Sequence, residues 1–328
     1  MQTVRTLQTL RTLLALCAAG AISACAGGSG SGQAVPTGAT GLNPASLSTR
    51  AVASDTNSAN NADTGDGDDG VGTVVYGSIP KPLKAVASVG FEATTLTEFG
   101  DGVNLTHTGK LQRVRYVLSS WGCQSGHWFS SDCVTIGNPT FPVPFTVNVY
   151  AYSSTNATHV GALLATQTKT FNIPYRPSSD HVKCPDGQTF FSKVDAACVH
   201  GLANIIVFNF SAPRATLPAQ TIVSLVYNTS HYGPSPIGQS APCYTSSGGC
   251  GYDSLNISAD GTGGPVGSPI DPNGVFDNFA QPSQYCVPTA TSSFRLDTAP
   301  GCWTVNHPQF EVRIATGDGD DRRDRDSN

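Results

Sequence analysis

Short runs in which apolar and polar residues alternate recur along this chain, and they restrict it to a fold built from β-strands. An alternation of period two is the pattern of a strand with one buried face. Residues 222–227 are instead almost continuously apolar, which predicts a central strand covered on both faces. Three more runs predict strands at 252–257, 275–279 and 310–314. The apolar faces of the alternating runs are Val114, Tyr116 and Leu118; Phe145, Val147, Val149 and Ala151; and Ile206, Phe208 and Phe210.

Clusters of turn-forming residues separate these runs, at 137–139, 185–187, 233–236 and 271–274. The chain has 35 Gly and 22 Pro among 328 residues, whereas good helix formers are scarce. Regular short strands with turns between them are typical of sandwiches and barrels. The sequence therefore predicts an all-β fold, an antiparallel β-sandwich of jelly-roll type, with no helix after the N-terminal segment.

Eight cysteines downstream of the N-terminal segment fall in four close pairs. Their number allows many connectivities, but short Gly/Pro/Ser-rich intervals favour four local disulfides that clip loops. A zinc site is the alternative, because His127 and His200 lie near cysteines, but the chain lacks the C-x2-C spacing usual for structural zinc. We therefore expect no metal and four disulfides, which pair Cys123 with Cys133, Cys184 with Cys198, Cys243 with Cys250, and Cys286 with Cys302.

The N-terminus has the pattern of an export signal. Arg5 and Arg11 precede an apolar stretch at 13–19 that is too short to span a bilayer as a helix. Residues 22–25, Ile-Ser-Ala-Cys, resemble the lipobox of bacterial lipoproteins, in which the cysteine is lipidated and becomes the mature N-terminus. The resemblance implies a signal peptide at 1–24, a lipid on Cys25 and a membrane-anchored location in the cell envelope. Cleavage after Ala26 is the alternative.

The rest of the chain divides by composition into a tether at 25–72, a β-sandwich domain at 73–316 and a charged tail at 317–328. The tether has too few large apolar residues to fold. The same acidic hexamer, Thr-Gly-Asp-Gly-Asp-Asp, occurs at 64–69 and 316–321, and we interpret it as solvated linker; a weak calcium loop is the alternative. The domain between is nearly neutral, which argues against nucleic acid as a partner.

Several stretches resemble uncharacterised bacterial secreted β-sandwich domains. They are Glu-Phe-Gly-Asp at 98–101, Leu-Ser-Ser-Trp-Gly at 118–122, Ile-Pro-Tyr-Arg-Pro at 173–177, and the stretches at 227–229, 232–233, 236–238 and 252–256. The resemblance covers roughly residues 86–258. It implies an extracellular sandwich, and no catalytic residue is carried over from it.

Three groups of residues are candidate ligand contacts. The aromatic cluster at 121–129 contains His127 and Trp128, and we expect Trp128 to be exposed for stacking on a sugar ring. The alternative is that Trp121 and Phe129 plug the end of the sandwich. Residues Tyr175 and Arg176 form the second group, in which Arg176 either binds a carboxylate or pins a loop by pairing with Asp180. The third is Tyr252 and Asp253, where Asp253 caps a turn, ligates calcium or bonds a sugar hydroxyl.

Signatures of common enzymes are absent from the sequence, including G-x-S-x-G and H-E-x-x-H. A glycosidase pair would have to come from Glu92, Glu98, Asp101, Asp132 or Asp253, and nothing in the sequence sets two of them at the required separation. We therefore expect no enzyme and no cofactor; a structural calcium ion, to which Asp101 or Asp253 would contribute, is the alternative.

These features favour a non-catalytic cell-envelope lipoprotein whose domain is a surface-binding or adhesion-type module. Its expected partners are the membrane, through the N-terminal lipid, and a glycan or an envelope protein. Two alternatives stay open. One is a structural envelope protein without a specific ligand, and the other is a secreted hydrolase with an acid pair on a concave face.

Overall fold

Sixteen short strands make up most of the part of the chain that the computed structural model describes, which is residues 72–83, 86–90, 96–126, 128–227, 255–259, 264–279, 293–298 and 306–315. A 3-10 turn at Trp128–Ser130 is the one helical element within these ranges. No helix in the described part is long and apolar enough to cross a membrane. The strands are β1 (Thr73–Gly77), β2 (Ser88–Gly90), β3 (Leu96–Asn104), β4 (Gly109–Ser120), β5 (Thr140–Tyr152), β6 (Val160–Pro174), β7 (Phe190–Ser192), β8 (Ala197–Val199), β9 (Leu202–Asn209), β10 (Thr216–Leu217), β11 (Gln220–Tyr227), β12 (Leu255–Ser258), β13 (Ser268–Pro269), β14 (Val275–Phe279), β15 (Arg295–Asp297) and β16 (Phe310–Ile314).

The first sheet is organised around β4, and we call it the β4 sheet. Along one edge β4 pairs with β16 and β12, and along the other it pairs with β9 and β10. Strand β1 continues the sheet beyond β16, and β2 continues it beyond β12. All these pairings are antiparallel. Because β1 pairs with β16, the first and last described strands of the domain are neighbours.

The second sheet has the strand order β15-β14-β3-β11-β5-β6, with β13 also paired to β3, and we call it the β3 sheet. Its central strand β11 is almost completely buried, as the continuous apolar run at 222–227 predicts. Strand β6 forms the edge of the sheet beside β5, and many of its side chains are exposed. A separate hairpin is formed by β7 and β8.

The two sheets pack face to face around one apolar core to which both contribute. Phe171 of the β3 sheet and Phe208 of the β4 sheet meet with their ring centroids 5.1 Å apart. The Tyr116 hydroxyl crosses the core and donates to the Val223 carbonyl at 2.9 Å, which satisfies a buried hydroxyl. The predicted all-β, antiparallel sandwich is confirmed.

Two of the four expected disulfides lie in the described residues, and both have the predicted local pairing: Cys123–Cys133 and Cys184–Cys198. The other two stay predictions, because their four cysteines lie outside the described residues. These are Cys243, Cys250, Cys286 and Cys302. The expected lipidation residue, Cys25, also lies outside the described residues.

The two disulfides belong to one structural unit, the clipped region, which we define as residues 121–139 and 175–201. Gln188 Nε2 donates to the Phe129 carbonyl at 3.1 Å and ties the two loops together. Phe190 and Val199 pack on Val117 at the outer side of β4. The clipped region therefore covers part of the outer surface of the β4 sheet.

Candidate functional site

The outward surface of the β3 sheet carries a connected group of polar side chains. Because successive residues of a strand point to opposite faces, burial of Phe145, Val147 and Val149 in the core turns Thr146, Asn148 and Tyr150 outward. Pairing sets Asn148 of β5 opposite Ser224 of β11, and Ser224 opposite Gly100 of β3. We call this surface the outward face; its members used below are Glu98, Gly100, Thr146, Asn148, Tyr150, Thr166, Thr168, Ser224, Phe276 and Phe294.

Glu98 is the centre of the outward face. Its Oε1 accepts hydrogen bonds from Ser224 Oγ at 2.6 Å, from Asn148 Nδ2 at 3.0 Å and from the Tyr150 hydroxyl at 3.0 Å. The donors come from β11 and β5, so the half-buried Glu98 side chain extends across the sheet from β3. Three donors on one oxygen fix the carboxylate in place.

A second layer of hydrogen bonds orients these donors. Thr166 Oγ1 donates to Asn148 Oδ1 at 2.7 Å, which turns the Asn148 amide nitrogen toward Glu98. The Thr146 and Thr168 hydroxyls, on the same pair of strands, are also 2.7 Å apart. The outward face is thus arranged before any ligand arrives.

Aromatic rings border the polar group on the side of β14 and β15. The half-buried ring of Phe294 has its centroid 5.5 Å from that of Tyr150, and on its other side it packs at 5.8 Å on Phe276, which is 1% exposed and supports Phe294 without facing a ligand. The Leu296 N–H donates to the Thr158 carbonyl at 3.0 Å, so the β15 segment also reaches the connection between β5 and β6. Burial and then the nearby Glu98 charge raise the pKa of Tyr150, which keeps its hydroxyl protonated as a donor.

Gly100 allows β3 and β11 to approach closely beside the Glu98 network. A Cβ at this position would collide with the Val223 carbonyl oxygen and would lie 2.7 Å from Ser224 Cα. A larger residue would therefore push β3 away from β11 at the point where Ser224 reaches Glu98. The glycine of the Glu-Phe-Gly-Asp stretch is required by the close approach of these two strands.

The expected exposed position of Trp128 is wrong. Its side chain is 8% exposed and belongs to a cluster with Trp121 and the Cys123–Cys133 disulfide. The Trp121 and Trp128 rings meet edge to face at 4.7 Å, and the ring of His200 stacks on Trp121 at 5.1 Å. Burial lowers the pKa of His200 to about 4, with a further effect from the Arg176 charge, so this histidine is neutral at pH 7. The cluster packs the clipped region rather than presenting a stacking surface.

Arg176 holds a loop through backbone carbonyls, whereas the predicted role was to hold it by pairing with Asp180. Its side chain is fully buried and donates from a terminal nitrogen to the Gln188 carbonyl at 2.7 Å and from Nε to the Pro177 carbonyl at 3.3 Å. The Asp180 carboxylate accepts the Val182 and Lys183 N–H groups and caps a turn. Tyr175 is half-buried, with its ring 4.7 Å from Phe141. His127, Tyr252 and Asp253 lie outside the described residues.

The candidate acids are distributed over different surfaces. Glu98 points outward, whereas Asp101, three residues along β3, is 1% exposed on the core side. These two carboxylates therefore do not face each other across a cleft. Asp132 is exposed in the clipped region, and Glu92 and Asp253 lie outside the described residues.

Asp101 is partnered by a histidine. His307 Nδ1 lies 2.7 Å from Asp101 Oδ2, and His307 Nε2 lies 3.2 Å from the Pro272 carbonyl. A carbonyl only accepts, so Nε2 carries a proton and the other proton lies between Nδ1 and the carboxylate. Burial raises the pKa of Asp101 to about 6, against the lowering effect of His307. No group of three or more metal-ligating side chains occurs in the described ranges.

A second acidic pair lies in the interior, between β14 and β15. Asp277 is completely buried, and burial together with the charge of Asp297 raises its pKa to about 9. Neither Asp277 oxygen receives a hydrogen bond in the described residues, because both members of the pair are acceptors when ionised. The raised pKa means that Asp277 holds a proton at pH 7, which lets it act as a hydrogen-bond donor toward Asp297. This pair is a structural feature of the core and is not part of the outward face.

The sequence reasoning missed Asn148, Tyr150 and Ser224, and it considered Glu98 only as a glycosidase acid. A signal for two of them was present, because Asn148 and Tyr150 occupy the polar phase of the predicted strand that contains Phe145 and Val147. The link to Glu98 and Ser224 needed the strand order. In comparisons with known proteins, no protein-family model, no curated protein and no solved structure matches the chain.

Proposed function

We propose that this chain is a non-catalytic cell-envelope lipoprotein whose β-sandwich is a surface-binding or adhesion-type module, and that its outward face binds a glycan. The observation that carries the proposal is the Glu98 network. Fixed carboxylate, amide and hydroxyl groups beside aromatic rings match the alternating hydroxyl and C–H surfaces of sugars. The N-terminal lipobox pattern with Cys25 supports attachment to a membrane, with the domain outside the cytoplasm.

The glycan proposal is tested by binding the full-length chain, purified in detergent, to a panel of immobilised polysaccharides. Asn148→Ala removes a donor to Glu98, and we expect it to weaken binding on the order of 10-fold. Tyr175→Ala is the matched control, because Tyr175 belongs to the clipped region, and we expect it to leave binding unchanged. If Tyr175→Ala weakened binding and Asn148→Ala did not, the binding surface would lie in the clipped region. If the wild-type chain bound no polysaccharide of the panel, glycan binding would be refuted.

The anchoring proposal is tested separately by growing expressing cells with radiolabelled palmitate. We expect the wild-type chain to carry label and to sediment with membranes. The Cys25→Ser variant should lose the label, because a hydroxyl does not replace the thiol that accepts the lipid. A labelled Cys25→Ser chain would show that the lipid is carried elsewhere.

A further inference from the structure

Within the described residues, the side chains that hydrogen-bond to Glu98 do not balance its charge. Among the outward positions of the described strands β14, β3, β11, β5 and β6, Glu98 is the one charged residue. Its three donors are a serine, an asparagine and a tyrosine, all neutral. We propose that the outward face recognises an ammonium group, which supplies the missing positive charge. This inference rests on the proposed function, because it assigns the ligand chemistry of the same face.

The two carboxylate oxygens of Glu98 have different roles. All three hydrogen bonds go to Oε1, which is thereby saturated. Within the described residues Oε2 receives none, so it is the position for a donor from the ligand. A charged donor binds more strongly there than a hydroxyl, since hydrogen bonds to ionised partners are shorter and stronger when both groups carry charge.

Partial burial of Glu98 strengthens the expected interaction between its carboxylate and an ammonium group. Glu98 is half-buried, and the neighbouring Ser224 is fully buried. A carboxylate that is partly removed from water loses solvation that neutral donors restore only in part. An arriving ammonium neutralises the site, whereas an acetamido group at the same position leaves the charge uncompensated.

The aromatic border fits the same ligand. The Tyr150 ring lies beside Phe294, and the Tyr150 hydroxyl is bonded to Glu98. An ammonium group held at Oε2 therefore lies near aromatic rings, whose faces attract cations. The geometry points to the primary amine of an amino sugar, in agreement with the proposed glycan binding; recognition of a lysine side chain is an outcome that the test distinguishes.

The test measures binding of the full-length chain to three soluble probes: a glucosamine hexasaccharide, the N-acetylglucosamine hexasaccharide and hexalysine. We expect the glucosamine probe to bind and the acetylated probe to bind at least 10-fold more weakly, because only the former carries ammonium groups. Glu98→Gln keeps an acceptor for the three donors but removes the charge, and it should weaken glucosamine binding on the order of 10- to 100-fold. Asp132→Asn removes one exposed charge elsewhere and is the control for non-specific attraction.

The outcomes separate this inference from the proposed function. Equal binding of both hexasaccharides that Glu98→Gln leaves unchanged overturns ammonium recognition and leaves glycan binding standing. Tight binding of hexalysine alone, lost in Glu98→Gln, supports ammonium recognition and overturns the glycan proposal. Equal losses in Glu98→Gln and Asp132→Asn, or no binding of any probe, overturn the inference. Matching melting temperatures of wild-type chain and Glu98→Gln establish that the variant is folded.

Discussion

Asp277→Asn is expected to stabilise the domain at pH 8 and to make its stability nearly independent of pH between 6.5 and 8.5. In the folded chain the pKa of Asp277 is raised to about 9, whereas the unfolded chain has an ordinary carboxyl with a value of 3.8. Between these values the folded state holds one more proton than the unfolded state. The contribution of Asp277 to the free energy of unfolding therefore falls by about 1.4 kcal/mol for each unit of increasing pH.

Because the pKa of Asp277 is raised in the folded state, its ionisation makes the domain less stable as pH rises. The contribution of Asp277 to stability is fully present below pH 3.8 and is lost as pH rises through about 9. Asp101 adds a loss in the same direction, but its pKa of about 6 confines most of that loss to lower pH. Asparagine at 277 does not titrate, and we expect its amide N–H to donate to Asp297 in place of the aspartate proton.

The measurement is chemical unfolding of both chains at half-unit intervals between pH 6.5 and 8.5. The difference between the two free energies of unfolding should shrink as pH falls through this range, because the aspartate becomes protonated in both states only below its unfolded pKa of 3.8. A wild-type slope that the substitution leaves unchanged would mean that Asp277 is ionised in the folded protein. Equal destabilisation of Asp277→Asn at all pH values would mean that the amide does not replace the shared proton.

The second large effect is expected from Arg176→Ala, which should reduce the free energy of unfolding by about 3 kcal/mol. The substitution leaves the Gln188 and Pro177 carbonyls without a charged donor, at about 1.5 kcal/mol or more each. It also opens a space beside Phe190, whose ring centroid lies 5.3 Å from the guanidinium carbon. Because these contacts hold the loop closed by Cys184–Cys198 against the segment at Arg176, proteolysis within residues 175–201 should become faster.

Arg214→Ala is the control for this measurement. Arg214 also donates to a backbone carbonyl, that of Phe210 at 2.8 Å, but it is only half-buried. We expect its loss to reduce the free energy of unfolding by about 0.5 kcal/mol. An effect of Arg176→Ala as small as that of Arg214→Ala would show that the disulfides alone hold the clipped region.

The strands that sequence reasoning found and those that it missed differ in a physical way. The predicted runs at 275–279 and 310–314 coincide with β14 and β16, because each has apolar residues that enter the core. Strand β6 was missed because it is a sheet edge, where exposed threonines break the apolar alternation. Strand β3 was missed because its glycines and acids interrupt the apolar alternation, although they lie in the middle of the sheet.

The candidate site was harder to predict than the fold, for a reason that lies in its construction. Glu98, Asn148 and Ser224 come from three strands that are distant in sequence, and they meet because β11 lies between β3 and β5. The sequence favoured Trp128 instead, since a tryptophan beside a disulfide suggests a rigid stacking surface. Its burial reflects packing of large rings against the Cys123–Cys133 bridge, a contact that spacing alone does not specify.

The pairing of β1 with β16 brings the two ends of the sandwich together, which suits the domain for circular permutation and for insertion into another protein. Thr73 lies opposite Ile314, so the chain enters and leaves the domain through adjacent strands, at positions about 5 Å apart. A short bridge between these ends would close the domain into a ring, and new termini could then be opened at the turn between β5 and β6. For the same reason the whole sandwich can be grafted into a surface loop of a host protein without stretching either partner.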